Sequence, residues 1–433
     1  MSAFDKIIGY ENIKKELMQI CDMIHNKEFY TKIGAKLPSG LLLSGDPGLG
    51  KTLMAKSFIE ESGLKAFTIR RNKGNDDFIG SITKTFEKAK ESAPSIILLD
   101  DMDKFANEDV NHRDAEEYVA VQAGIDDVKN HDVFVIATVN EEYKLPGSLV
   151  RMGRFDRTIE IECPKEDDAR LIIEHYLSDK KVSDLVNMVD LTKMISYSSC
   201  AELETILNEA AINAAYERKE YIEMNDLVDA VLRMEYDSPD NYAKISVESA
   251  KKTALHEAGH LVICEVLVPE SVGLASIRAV ANENTAGFIH RCKDLPKEYY
   301  HALVALGGKA AMDLYYANEC DSGNRADIEN AANIIKNGIA WDADRGFGLA
   351  GISVSYSGIT EHSRSRIEVA TQTELERLLI KAKEILLNNK AFLEKTAEAL
   401  IEKETLLYSD ICEIKKRVRI TRMKQVLTPL LGE

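Results

Sequence analysis

The chain changes its hydrophobic rhythm near the middle. In the first half, short apolar runs alternate with helix-spaced patterns. Leu41-Leu42-Leu43 ends in a glycine-rich turn and precedes a helical pattern over residues 52–61, while residues 96–99 and 133–137 are two further apolar runs. Runs this short, separated by helical patterns, predict buried strands of a parallel sheet with helices on both faces. From residue 164 to about 234 the pattern is helical: Leu203, Ile206, Leu207, Ala210 and Ala214 share one face of a helix over 201–216. The Asp-Ser-Pro-Asp-Asn stretch within 236–244 predicts a linker. A mostly helical half follows, with a long amphipathic segment over 364–403 broken near Asn388-Asn389.

Bulk composition narrows the class. A length of 433 residues suggests two or three domains, and 45% hydrophobic with 29% charged residues is ordinary for a soluble globular chain. A net charge of -17 argues against nucleic acid as a main partner. Seven cysteines without a Cys-x-x-Cys pair argue against a disulfide framework and for a reducing compartment. No apolar run approaches the roughly 18 to 20 residues of a membrane span; the longest, 261–268, contains Glu265. The first ten residues lack a signal-peptide pattern, so the expectation is a naturally soluble, cytoplasmic protein without an integral membrane span. Residues 415–424 hold six basic side chains, which read as a solvated helical tail in preference to a peripheral membrane contact.

Gly45-Asp46-Pro47-Gly48-Leu49-Gly50-Lys51-Thr52 fits the G-x-x-x-x-G-K-T pattern between a predicted strand and a predicted helix, with Leu53 next in line. In that setting backbone N–H groups and a helix N-terminus cradle phosphates. Lys51 would meet the β- and γ-phosphates of ATP, and Thr52 would ligate Mg²⁺. The run 96–99 delivers Asp100 to the sheet edge to hold Mg²⁺ through water, with Asp101 to orient or activate the attacking water. Arg151 and Arg154, in Arg-Met-Gly-Arg-Phe-Asp-Arg, are candidates to stabilise transition-state charge on the γ-phosphate.

His256-Glu257-Ala258-Gly259-His260 fits H-E-x-x-H. On a helix, positions i and i+4 share a face, so both imidazoles can bind one Zn²⁺ while Glu257 deprotonates water. The apolar flanks Ala254-Leu255 and Leu261-Val262-Ile263 predict a buried helix. A catalytic site needs a third ligand, and Asp321, Asp327 and Glu329 all stand at plausible distances.

Taken together, these pieces resemble the FtsH family of AAA+ metalloproteases, from about residue 8 to 407. The resemblance implies an AAA+ α/β ATPase subdomain over 1–162, a helical lid over 163–235, a linker over 236–249 and a mostly α-helical zinc metallopeptidase domain over 250–433. Ile8-Gly9-Tyr10 resembles the adenine-packing segment, His175 the histidine near the base, and Asn140 the polar sensor for the attacking water. Arg151 and Arg154 match arginines that act in trans within a homohexamer. Ser322-Gly323-Asn324-Arg325-Ala326-Asp327-Ile328 is similar to the stretch that makes Asp327 the third zinc ligand. Phe78-Ile79-Gly80 resembles a pore loop whose aromatic grips a substrate polypeptide, and residues 275–280 resemble an edge strand that pairs with the substrate backbone. The resemblance thus implies protein or peptide substrates, with Zn²⁺, ATP and Mg²⁺ as cofactors. Three departures stand out: Asp101 replaces the family's Glu, the segment after Gly80 is shorter, and the preceding transmembrane segments are absent. The first motivates an alternative, a remodelling chaperone or assembly with slow ATP turnover and ATP-independent peptidase activity.

Overall fold

A computed structural model describes residues 2–71, 77–106, 115–151, 153–236, 238, 246–278, 287–316, 324–341 and 361–422. The chain divides into two compact units, one of residues 1–180 with 197–208 and the other of residues 181–196 with 209–433. The segment expected as a lid is shared between them: the helix Glu166–Leu177 belongs to the first, and Met188–Met194 and Met224–Tyr236 to the second. The expected linker lies largely outside the described residues.

The first unit is built on a parallel sheet of β1 (Gly40–Ser44), β2 (Lys65–Ile69), β3 (Ser95–Leu99), β4 (Val133–Val139) and β5 (Arg157–Glu160), in the order β2-β3-β4-β1-β5. The three inner strands β1, β3 and β4 are buried throughout, as continuous apolar runs covered on both faces should be. Their register sets Leu41 beside Ile136 and Ile97 beside Val135. The helix Lys51–Ser62 starts directly after the glycine-rich turn and packs Phe58 against Phe134, ring centroids 5.6 Å apart.

The second unit centres on the helix Val247–Leu267, whose residues from Thr253 to Val266 are buried except for His256. Ser246 caps it, its hydroxyl accepting from the Ser249 N–H at 3.1 Å. A helix apolar nearly all round must sit inside a domain, and helices Gly307–Tyr315, Glu361–Asn388 and Lys390–Lys403 surround this one. The last two are the expected long amphipathic segment. They break at Asn389, whose buried amide donates to the Ile385 and Thr421 carbonyls at 2.9 and 3.1 Å. Glu265 interrupts the apolar run without cost in unpaired charge: its carboxylate accepts from the Glu270, Ser271 and Val272 N–H groups and pairs with Lys415 at 2.6 Å. Lys415 is therefore a core counter-ion and no part of a solvated tail.

The helical expectation for this half missed a small antiparallel sheet, β7-β6-β8, made of β6 (Val272–Ser276), β7 (Phe288–Arg291) and β8 (Thr405–Leu407). It also corrects one reading. Ala275 and Ser276 pair with Ile289 and Phe288 on one side and with Leu406 and Thr405 on the other, so β6 is the central strand. The edges are β7 and β8, and residues 279–280 lie outside the described residues. Among the described residues, no helix is long and apolar enough to cross a membrane.

Candidate functional site

The second unit gathers the zinc candidates on two helices. His256 and His260 stand one turn apart on Val247–Leu267, and Asp327 lies in the first turn of Asn324–Trp341. Asp327 Oδ2 is 3.0 Å from His256 Nε2 and 3.3 Å from His260 Nε2, and the two Nε2 atoms are 3.0 Å apart. Tetrahedral zinc with bonds of about 2.1 Å holds its ligand atoms about 3.4 Å apart. The three donors thus already outline one face of that tetrahedron. Of the other third-ligand candidates, Glu329 is tied to Arg325 at 2.8 Å on the surface, and Asp321 lies outside the described residues.

The surroundings fix the ligand atoms. His260 Nδ1 is 2.6 Å from the Val304 carbonyl, so Nδ1 donates there and Nε2 is left to face the site. Gly308 presses on His256: a Cβ there would stand 2.3 Å from His256 Cε1. Any larger residue would displace the ring. Asp327 Oδ2 is buried with no hydrogen-bond donor other than the histidines, as a ligand atom awaiting a cation would be.

Glu257 is buried beside these ligands. Burial pushes its carboxyl pKa up, with His260 and His256 working against that rise. Burial alone would lower His260 and raise Asp327. Their hydrogen bond and opposite charges win in both, lifting His260 to about 9 and holding Asp327 well below the carboxylate range. A cation would take over the role of those protons. The donor set of two imidazoles and a carboxylate suits zinc.

The first unit places the nucleotide candidates at the C-terminal ends of its strands, where parallel sheets bind ligands. The Lys51 ammonium donates to the Gly45 and Asp46 carbonyls at 2.6 Å each. Burial lowers its pKa, opposed by Asp103, Asp101 and Asp46. Because β4 lies between β1 and β3, Asp100 can meet Thr52 across the sheet end. Asp100 Oδ1 accepts from the Thr52 hydroxyl at 2.9 Å and the Thr138 hydroxyl at 3.0 Å. Asp101 follows in a left-handed conformation, φ 55°, its N–H donating to Thr138 Oγ1 at 2.9 Å. Asn140, just past β4, donates its N–H to Asp103 at 3.3 Å.

Beside the loop is a cleft of about 340 Å³ lined by Tyr10, Gly48, Leu49, Gly50, Leu53 and His175. Asp46 and Pro47 stand exposed at the loop tip. Gly9 shapes the rim from behind: at φ +70° a Cβ would lie 2.8 Å from Asp168 Oδ1, the atom that accepts the Tyr10 N–H at 2.8 Å.

Two candidates sit differently from their sequence readings. Phe78 was read as a substrate-gripping aromatic, but its ring is in the core of its own unit, 6% exposed and edge-on to Phe105. The Asp77 cap, accepting from the Gly80 N–H, starts a helix at Phe78 and turns the ring inward. Arg154, paired with Arg151 as a trans-acting arginine, is 4% exposed and ion-paired to Asp126 within its own unit. Arg151 is exposed. Sequence reasoning missed Thr138 and Arg70, neither of which belongs to a motif.

Comparison with known proteins gives a family for each part of the chain. Residues 41–163 match the ATPase family associated with various cellular activities (AAA), and residues 243–414 match peptidase family M41. The fold and sites thus define an AAA ATPase domain followed by a metallopeptidase domain. This chain belongs to the FtsH family. A protein of Ureaplasma parvum named ATP-dependent zinc metalloprotease FtsH is 28% identical over 94% of this chain and 60% of its own length. One of Symbiobacterium thermophilum, ATP-dependent zinc metalloprotease FtsH 3, is 28% identical over 98% of this chain and 72% of its own. A third, from Leptotrichia buccalis, is 32% identical over 77% of this chain and 45% of its own. The chain thus spans between about half and three-quarters of these relatives.

Proposed function

We propose that this chain is an ATP-dependent zinc endopeptidase acting on protein substrates. The observation that carries the reading is the convergence of His256, His260 and Asp327 beside a buried Glu257, in a chain whose other unit holds a phosphate-binding loop. A zinc ion held by the three ligands supplies Lewis acidity toward a peptide carbonyl. Glu257, its carboxyl pKa raised by burial, takes the proton of the attacking water and returns it to the leaving amine. Its neighbours exclude bulk water, so the proton stays on that path. In the other unit the loop 45–52 cradles the ATP phosphates, Thr52 and Asp100 hold Mg²⁺, Asp101 and Asn140 address the attacking water, and the cleft with His175 takes the base. Arg151, which is exposed, serves a neighbouring copy in a homohexamer, with 163–235 as lid.

The test is degradation of casein by the zinc-loaded protein with ATP. Glu257→Gln is expected to abolish cleavage while zinc content and ATP turnover persist; cleavage at the wild-type rate would refute the peptidase assignment. Lys51→Ala is expected to stop degradation of a folded substrate but not of a short peptide. A second reading, slow ATP turnover with assembly as its main role, is favoured by one observation: Asp101 is already paired with Lys104 at 2.8 Å. ATP turnover far slower than casein cleavage would select it.

A further inference from the structure

At the C-terminal end of β3 two carboxylates stand side by side, and one guanidinium spans them. Arg70 follows β2 directly. β2 and β3 run in parallel with Ile69 opposite Leu99, so Arg70 and Asp100 leave the sheet as neighbours. The Asp100 N–H still donates to the Ile69 carbonyl at 3.0 Å. Arg70 Nη1 is 3.5 Å from Asp100 Oδ2, and Nη2 is 3.4 Å from Asp101 Oδ2.

The two carboxylates depend on Arg70 unequally. Asp101 has a second cation, Lys104. Among the described residues, Asp100 has two hydroxyl donors, both on Oδ1, and Arg70 is the cation on Oδ2. The Asp100 side chain is 4% exposed whereas that of Arg70 is 56% exposed, so the guanidinium reaches inward from solvent and can swing away. A divalent cation recruited to Asp100 meets that positive charge at short range. In a partly desolvated setting, like charges a few ångströms apart cost free energy.

We propose that Arg70 is a positioning residue that competes with Mg²⁺ for Asp100, and so sets the Mg²⁺ concentration at which the site takes up nucleotide. The proposal rests on the ATP-binding reading above. Arg71 provides an internal control, since it carries the same charge one residue on and pairs with Glu117 at 3.5 Å.

The experiment titrates Mg²⁺ into the full chain with a fixed concentration of fluorescent N-methylanthraniloyl-ADP and reads bound nucleotide. Arg70→Ala is expected to lower the half-saturating Mg²⁺ concentration by roughly 3- to 10-fold. Arg70→Lys, which keeps the charge, should stay closer to wild type, and Arg71→Ala should leave the value unchanged. An unchanged value in Arg70→Ala overturns the proposal, as does an equal drop in Arg71→Ala, which would point to bulk charge. A wild-type protein that binds no nucleotide at any Mg²⁺ concentration refutes the ATP-binding reading itself. Thermal melts check folding, and Arg70→Gln carries the test should the alanine variant not fold.

Discussion

Arg154 grips Asp126 with two parallel hydrogen bonds, Nε to Oδ1 at 3.0 Å and Nη2 to Oδ2 at 2.7 Å. It also donates to the Ser148 carbonyl. Such a fork-to-fork pair is stronger and more directional than a single contact. It braces the 148–156 loop against the 115–128 helix from within one copy. Arg154→Ala is expected to destabilise the first unit by about 1–3 kcal/mol. In a double-mutant cycle with Asp126→Ala, chemical denaturation should give a coupling of roughly 0.5–2 kcal/mol. Strictly additive single-mutant effects would show that the brace is energetically idle.

Gly308→Ala should empty the metal centre without unfolding the protein. The new methyl would overlap the His256 ring, which would have to shift from its place beside Asp327. We expect zinc affinity to fall at least roughly 10-fold, as losses of supporting contacts around metal ligands do. Competition with a chromogenic chelator would measure it. Nucleotide binding by the other unit should be unaffected.

His290 gives the protein an acid-sensitive joint. Burial pushes its pKa down to about 4, and the Tyr236 hydroxyl lies 2.6 Å from its Nδ1 while the Tyr236 ring stacks on Phe288 at 3.8 Å. The folded pKa is below the unfolded value of about 6.5, so the unfolded chain binds the extra proton. Stability from this group is complete above about 6.5 and lost as pH falls toward 4. Between pH 7 and 4.5 the zinc-loaded wild type should lose roughly 2–3 kcal/mol that His290→Gln does not lose. Urea midpoints at the two pH values would decide; parallel acid limbs would sink the idea.

Two adjacent lysines should behave very differently. Lys415 faces the buried Glu265, while Lys416 is exposed. Lys415→Ala leaves a buried carboxylate with its three N–H donors but no counter-ion, an expected loss of about 2–3 kcal/mol. Lys416→Ala should change stability by less than about 0.5 kcal/mol. Comparable thermal shifts in both variants would contradict the buried pairing.

What could be read without coordinates follows burial. β1, β3 and β4 are covered on both faces, so their sequences are unbroken apolar runs and announce themselves. β2 and β5 are edge strands of mixed exposure, Lys-Ala-Phe-Thr-Ile and Arg-Thr-Ile-Glu, and carry no such pattern. β6 is fully buried yet built of Val-Gly-Leu-Ala-Ser, whose small residues weaken any strand signal. In the metal centre, the two histidines share one helix and were legible from their spacing. Asp327 comes from a separate helix, so only tertiary packing or a family resemblance could select it. Phe78 misled because a motif records residue type and not the direction a ring faces once Asp77 starts the helix.

Asp100 Oδ1 receives hydroxyls from Thr52, at the start of the phosphate-loop helix, and from Thr138, inside β4. Thr138 also receives the Asp101 N–H. A single oxygen atom is therefore the meeting point of three chain segments that have no covalent closeness. When Thr52 turns to a ligand, that meeting point loses one of its two partners, and the remaining one is the residue that holds Asp101 in its left-handed turn. On the proposed nucleotide-binding reading, occupancy of the loop would reach Asp101 through two hydroxyl groups, with no helix or strand having to move.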